Sequence, residues 1–141
     1  MPATDEGTKA RPIDEDYVLA FTTGYLECAL WCGVYAEDEN GELVSSDDEW
    51  AFDDVQPSAR EEIESDCLAF VTDNYADLQA ILPSVDASAA GHDFYLTRNR
   101  HGAGYWDGDV PEPMATRLTD AAHVYGTVDL YVGDDGKVYG S

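Results

Sequence analysis

The amino-acid sequence predicts an α+β fold: two N-terminal helices followed by a ββαββ unit with a small antiparallel sheet. Three observations predict it. Apolar residues recur at spacings of three and four along two segments of the first half. The second half instead alternates apolar and polar residues around glycine-containing turns. Apolar residues make up 44% of the 141, enough to build a core, yet no run of them is long enough to span a membrane.

Residues 1–12, polar and carrying Pro2 and Pro12, read as a flexible arm ahead of a single domain over 13–141. That domain divides into an acidic helical half, 13–82, and a hairpin-helix-hairpin half, 92–141. From Asp14, the positions Val18, Phe21, Tyr25, Cys28, Ala29 and Cys32 share one helical face. Asp14, Glu15 and Asp16 stand at its start, where carboxylates favour the positive end of the helix dipole. Gly33 is the expected stop. Residues 36–57 read as an acidic loop without a base, turning at Asn40-Gly41 and holding a short strand from Glu42 to Ser45. Ser58 and Glu61 have the spacing of a capping box, opening a helix over 58–82 with Ile63, Cys67, Phe70, Asn74, Leu78 and Ile81 on its inner face. Pro83 ends that helix, and 84–91 reads as a linker. "HDFYLTRNRHGAGYWD", residues 92–107, reads as a hairpin with strands near 93–97 and 103–106. Met114, Leu118, Ala121, Ala122 and Tyr125 give a short helix closed by Gly126. A second hairpin follows, with Val128, Leu130 and Val132 on one face and Asp134-Asp135-Gly136 at the turn.

Charge is the dominant feature. Thirty acids stand against seven bases, a net charge of −23. Over the roughly 7,000 Å² of surface expected for this mass, that is one net negative charge per ~300 Å². Such a field repels nucleic acid and anionic membranes and attracts basic protein surfaces. It is lopsided: residues 1–91 hold 22 acids and 3 bases, residues 92–141 hold 8 acids and 4 bases. The N-terminus shows no basic segment followed by an apolar one, as a secretory signal has, so a cytoplasmic protein is expected. Cys28, Cys32 and Cys67 form neither an even set nor a CxxC pair and read as small buried apolar residues. No cofactor and no metal site is expected.

"HDFYLTRNRHGAGYWD", taken with "DLYVGDDGKVYG", resembles a block recurring in small proteins of bacteriophages and related mobile elements: HDF-aromatic-LTRN-x-HGAG-aromatic-WD, then a short helix and a GDDGK hairpin. The resemblance covers about the last fifty residues and leaves out the acidic half. It implies an accessory protein of phage type acting in a host cytoplasm.

Two candidate sites emerge. One is the 92–107 segment, where His92, Arg98, Arg100 and His101, with Asp93 and His123, offer acid–base, metal-ligating or anion-binding groups for a small enzyme or ligand-binding domain. No pattern with a known catalytic mechanism accompanies them, and adjacent strand residues such as His92 and Asp93 point to opposite faces. A structural hairpin, with its arginines paired to the protein's own acids, is the expectation. The other candidate is the acidic half. Carboxylates three or four apart on a helix lie ~5–6 Å from each other, comparable to phosphates along a nucleic-acid strand. Glu61 with Glu64, Glu62 with Asp66, and Asp73 with Asp77 have that spacing. Glu37, Asp38, Glu39, Asp47, Asp48, Glu49, Asp53 and Asp54 extend the set through the loop, where Trp50 and Phe52 offer aromatic anchors.

The expected function is therefore a non-enzymatic binder that inhibits a basic, DNA-binding host protein by nucleic-acid mimicry. Defence complexes, repair enzymes and nucleoid proteins have surfaces of the required kind. The protein itself would contact no nucleic acid and no membrane. Adaptation to high salt is a competing account of the acidity, consistent with only two lysines. It predicts acid spread evenly over the surface and unfolding in low salt.

Overall fold

Among the described residues, the chain forms five helices and one four-stranded mixed sheet. The computed structural model describes residues 13–32, 34–45, 50–100, 104–106 and 110–140. The arm over 1–12, Gly33 and the acids Asp47, Asp48 and Glu49 lie outside them.

Helix α1 spans Glu15–Cys32, as the apolar spacing predicts. Asp14 caps it, its carboxylate accepting the Tyr17 N–H at 3.0 Å. Strands β1 (Val34–Glu37) and β2 (Leu43–Ser45) then pair antiparallel across the expected Asn40-Gly41 turn. The short strand is present, but the loop reading of its neighbours misses β1. The sequence also places two helices in succession, whereas this hairpin separates them. Helix α2 (Pro57–Asp73) begins two residues earlier than the capping-box reading, which makes Ser58 the cap, requires. Its cap is Gln56, whose side chain accepts from the Ser58 and Ala59 N–H groups; Ser58 lies inside the first turn. The expected continuous helix breaks at Asn74, whose side chain and backbone N–H both return to the Phe70 carbonyl. Helix α3 (Tyr75–Ala80) continues beyond it.

The largest departure is at 84–98. The expected linker and first strand form one helix, α4 (Ala87–Arg98), capped by Asp86 through the Ala89 N–H at 2.9 Å. Its buried residues, Ala90, Gly91, Phe94, Tyr95, Thr97 and Arg98, recur with helical spacing. Residues 104–106 form a bend and a turn, so no hairpin forms among the described residues of 92–107. Helix α5 (Met114–Val124) and the hairpin β3 (Leu130–Val132) to β4 (Val138–Gly140) match the sequence reading. The sheet order is β2-β1-β3-β4. Its centre is the parallel pair β1/β3, so the two hairpins, from distant parts of the chain, make one mixed sheet rather than an antiparallel one.

Helix α1 packs most extensively on α4. Close approach is possible because glycines face the partner helix: a Cβ on Gly91 would lie 1.9 Å from the Phe21 carbonyl oxygen, and one on Gly24 2.3 Å from that of Ser88. Around this crossing Phe21, Phe70 and Phe94 are fully buried, Phe70 and Phe94 stacked with centroids 4.2 Å apart. Burial of each such ring stabilises the fold by about 1.5–3 kcal/mol. Val34, Leu130 and Val138 carry the sheet's inner face into the same core.

Candidate functional site

The charged groups of the structure divide into those turned inward and those left outside. The inward group centres on Arg98, in the last turn of α4 and 2% exposed. Its Nε donates to the Gly126 carbonyl at 2.9 Å, and Nη2 to the Tyr125 carbonyl at 3.1 Å. Nη1 donates to the Tyr25 hydroxyl at 3.3 Å and to Asp66 Oδ2 at 3.0 Å. The guanidinium carbon lies 5.3 Å from the Phe94 ring centroid and 5.7 Å from that of Tyr125. One side chain thus joins α1, α2, α4 and the end of α5, where its charge also opposes the negative pole of that helix. Burial pushes the Tyr25 hydroxyl above its ordinary range, against the opposing pull of Arg98.

Two more arginines are engaged by the protein itself. Arg117 of α5 makes a two-pronged pair with Asp77 of α3, at 2.9 and 2.6 Å. Arg60 donates to the Phe52 carbonyl at 2.6 Å. Of the three carboxylate pairs expected on the long helix, two are therefore altered. Asp66 belongs to Arg98, and Asp77 belongs to Arg117 and sits on a different helix from Asp73. Glu61 with Glu64 keeps its helical spacing with both residues exposed.

The outer face of α2 carries Glu61, Glu62, Glu64, Ser65, Leu68, Ala69, Thr72 and Asp73, all exposed. Leu68 is 53% exposed and falls on one stripe with Glu61, Glu64 and Thr72. In the β1–β2 hairpin, Glu37 and Glu39 are exposed, whereas the Asp38 carboxylate is occupied by the Asn40 and Glu42 N–H groups at 2.8 and 3.0 Å. Asp53 is exposed, and Asp54 accepts the Ala51 N–H at 2.8 Å. Trp50 and Phe52, read from the sequence either as interface anchors or as pins of the acidic loop onto the core, are half-buried and pack against the core.

The residues of the alternative site are not assembled as a hairpin tip. Arg98 is buried, Arg100 is exposed just beyond α4, and His101 lies outside the described residues. His92 and Asp93 do not point to opposite faces, because their segment is helical; both line one shallow hollow with Ser84, Asp86 and Ser88. His123 is on α5. Among the described residues, no group of three His, Cys, Asp or Glu side chains converges closely enough to hold a metal ion. Much of the segment builds the interior. Tyr105 is fully buried, its hydroxyl donating to the Ala90 carbonyl at 2.7 Å and its N–H to Thr97 Oγ1 at 3.2 Å. Gly104 permits this return: its φ is +142°, and a Cβ there would lie 2.1 Å from Thr97 Oγ1.

Cys28 and Cys67 are buried, and Cys32 is half-buried with its sulfur 3.7 Å from that of Cys28. Burial pushes the Cys28 and Cys67 thiols up to about 12, so both are protonated at neutral pH. No described helix is long and apolar enough to cross a membrane.

Sequence reasoning passes over two features, one exposed and one half-buried. Leu68 is hidden in a helix whose apolar stripe it does not join. Tyr35, Tyr131 and Tyr139 stand opposite one another on β1, β3 and β4. The alternation around the Asp134-Asp135-Gly136 turn marks the last two, but only the parallel β1/β3 pairing brings Tyr35 to them. Comparison with protein-family models, with curated proteins and with solved structures finds no match for this chain.

Proposed function

We propose that this is a non-enzymatic accessory protein of phage type that binds a basic, nucleic-acid-binding surface on a host protein, its carboxylates taking the place of phosphates. The observation that carries the reading is the outer face of α2. There Glu61, Glu62 and Glu64 remain exposed, while Arg60, Arg98 and Arg117 are held by the protein's own carbonyls and carboxylates. The fold thus leaves its acidity outward-facing instead of neutralising it. Exposed carboxylates supply long-range steering, which dominates association rates between oppositely charged proteins. Leu68, one turn beyond Glu64 on the same stripe, supplies short-range apolar contact in place of Trp50 and Phe52. Asp66 is removed from the binding set because it holds Arg98.

The test is capture from a host lysate with immobilised wild-type protein and with the E61K/E62K/E64K variant. Washing at about 0.15 M salt, where the screening length is about 8 Å, removes loosely attracted basic proteins. The reading expects a DNA-binding protein retained by the wild type, released by duplex DNA and absent from the variant. Equal retention by the variant, or retention indifferent to duplex DNA, contradicts it.

A further inference from the structure

The open face of the sheet carries a set of groups that the acidic helix does not use. Register aligns Tyr35, Tyr131 and Tyr139 across three adjacent strands. Side-chain alternation puts them on the face opposite Val34, Leu130 and Val138, which enter the core. The Tyr131 and Tyr139 rings stack with centroids 5.7 Å apart and planes 22° from parallel. Beside them runs an open groove of about 750 Å³, lined by both rings and by Glu37, Leu43, Asp134 and Asp135. Leu43 is 60% exposed, and the three acids are exposed. Asp135 accepts the Lys137 N–H at 3.0 Å and the Tyr139 hydroxyl at 2.8 Å. These bonds hold its carboxyl below the usual range and fix it at the end of the aromatic pair. Lys137, on the same turn, is exposed and does not line the groove.

Aromatic rows on open sheets suit stacked nucleobases, but a nucleotide's phosphate would here meet three carboxylates on a protein of net charge −23. A cation with a flat face meets both halves of the lining. Guanidinium stacks on aromatic rings and donates in a planar fork to carboxylates; an ammonium is a compact, strongly hydrated point charge without a face to stack. We infer that this groove receives an arginine side chain of a partner protein, the guanidinium stacked on the Tyr131–Tyr139 pair and donating to Glu37, Asp134 and Asp135. The inference rests on the reading of the protein as a binder of basic protein surfaces, and adds the residue type that is recognised and the place.

The experiment titrates isotopically labelled protein with an oligo-arginine and an oligo-lysine peptide at about 0.15 M salt and maps the backbone amide shifts. The arginine peptide is expected to shift amides of 35–37 and 131–139 and to bind about three- to tenfold more tightly than the lysine peptide, whose ammonium is also drawn to the rings but neither stacks on them nor forks to the carboxylates. The Y131A/Y139A variant is expected to lose that preference. E61K/E62K/E64K is expected to keep it, because α2 does not line the groove. Equal affinity for the two peptides, or shifts centred on α2, overturns the inference. Both decisive observations come from the wild-type protein, so they stand even if Y131A/Y139A does not fold. An arginine preference together with undiminished partner capture by E61K/E62K/E64K removes the α2 reading alone; loss of capture with no arginine preference removes the groove alone.

Discussion

Asp66 and Glu62 stand one turn apart on the same helix, yet they serve different parts of the molecule. Asp66 lies near the boundary of the buried face and meets a guanidinium enclosed by three helices, two carbonyls and two aromatic rings. Glu62 lies on the outer face and is exposed. The same contrast separates the arginines: Arg98 is 2% exposed and multiply bonded, whereas Arg117, with a side chain 56% exposed, pairs with one carboxylate at the surface. Burial separates the charges that join helices from those that stay in contact with solvent.

That contrast is most severely tested by Arg98→Ala. The change strands the buried Tyr25 hydroxyl and the carbonyls of Tyr125 and Gly126, and leaves Asp66 without its partner. Each buried polar group left without a partner costs about 1–3 kcal/mol, and Asp66, its side chain 38% exposed, adds less; together this is a large share of a small domain's stability. Urea denaturation should show an unfolding free energy lowered by about 3 kcal/mol or more; a loss as small as that of an exposed arginine would mean that Arg98 is no hub. Gly91→Ala probes the same region through packing. Its Cβ would strike the Phe21 carbonyl, a backbone atom that cannot rotate away, and overpacking of this kind costs about 1–3 kcal/mol. A stabilised Gly91→Ala protein would contradict the close α1/α4 crossing.

Asp66→Asn against Glu62→Gln is a smaller and sharper comparison, since both remove one charge from α2 and keep the shape. Asp66→Asn should destabilise by about 1.5–3 kcal/mol, the range for a hydrogen bond to a charged group. Glu62→Gln should stay within about 0.5 kcal/mol of wild type, as surface substitutions do. Partner affinity should follow the reverse order, falling for Glu62→Gln and not for Asp66→Asn once folding is accounted for. Equal effects of the two on both quantities would erase the division.

The sequence makes some of this legible. Apolar residues three and four apart behind a carboxylate cap mark α1, and the alternation around Asp134-Asp135-Gly136 marks the last hairpin. Helix α4 is concealed because His92-Asp93-Phe94-Tyr95-Leu96-Thr97-Arg98 resembles a strand segment while its buried positions follow the helical repeat. Gly91 reads from sequence as the end of a linker, whereas in space it is the point where two helix backbones meet. The break at Asn74 has no proline or glycine to announce it, and the parallel β1/β3 pairing joins segments almost a hundred residues apart, leaving no local trace. At the candidate site, the excess of acid is plain in the composition. Which acids are occupied by arginines is not, because Asp66 meets Arg98 and Asp77 meets Arg117 only through the tertiary fold.

The most direct test is the affinity of one captured, purified partner for wild-type protein and for E61K/E62K/E64K, followed with increasing salt and with duplex DNA as competitor. The account predicts tight binding by the wild type that weakens with salt and is mutually exclusive with DNA, and no measurable binding by a variant whose urea midpoint is unchanged. A partner that binds the variant as well as the wild type, or that binds wild type and DNA together, would contradict it.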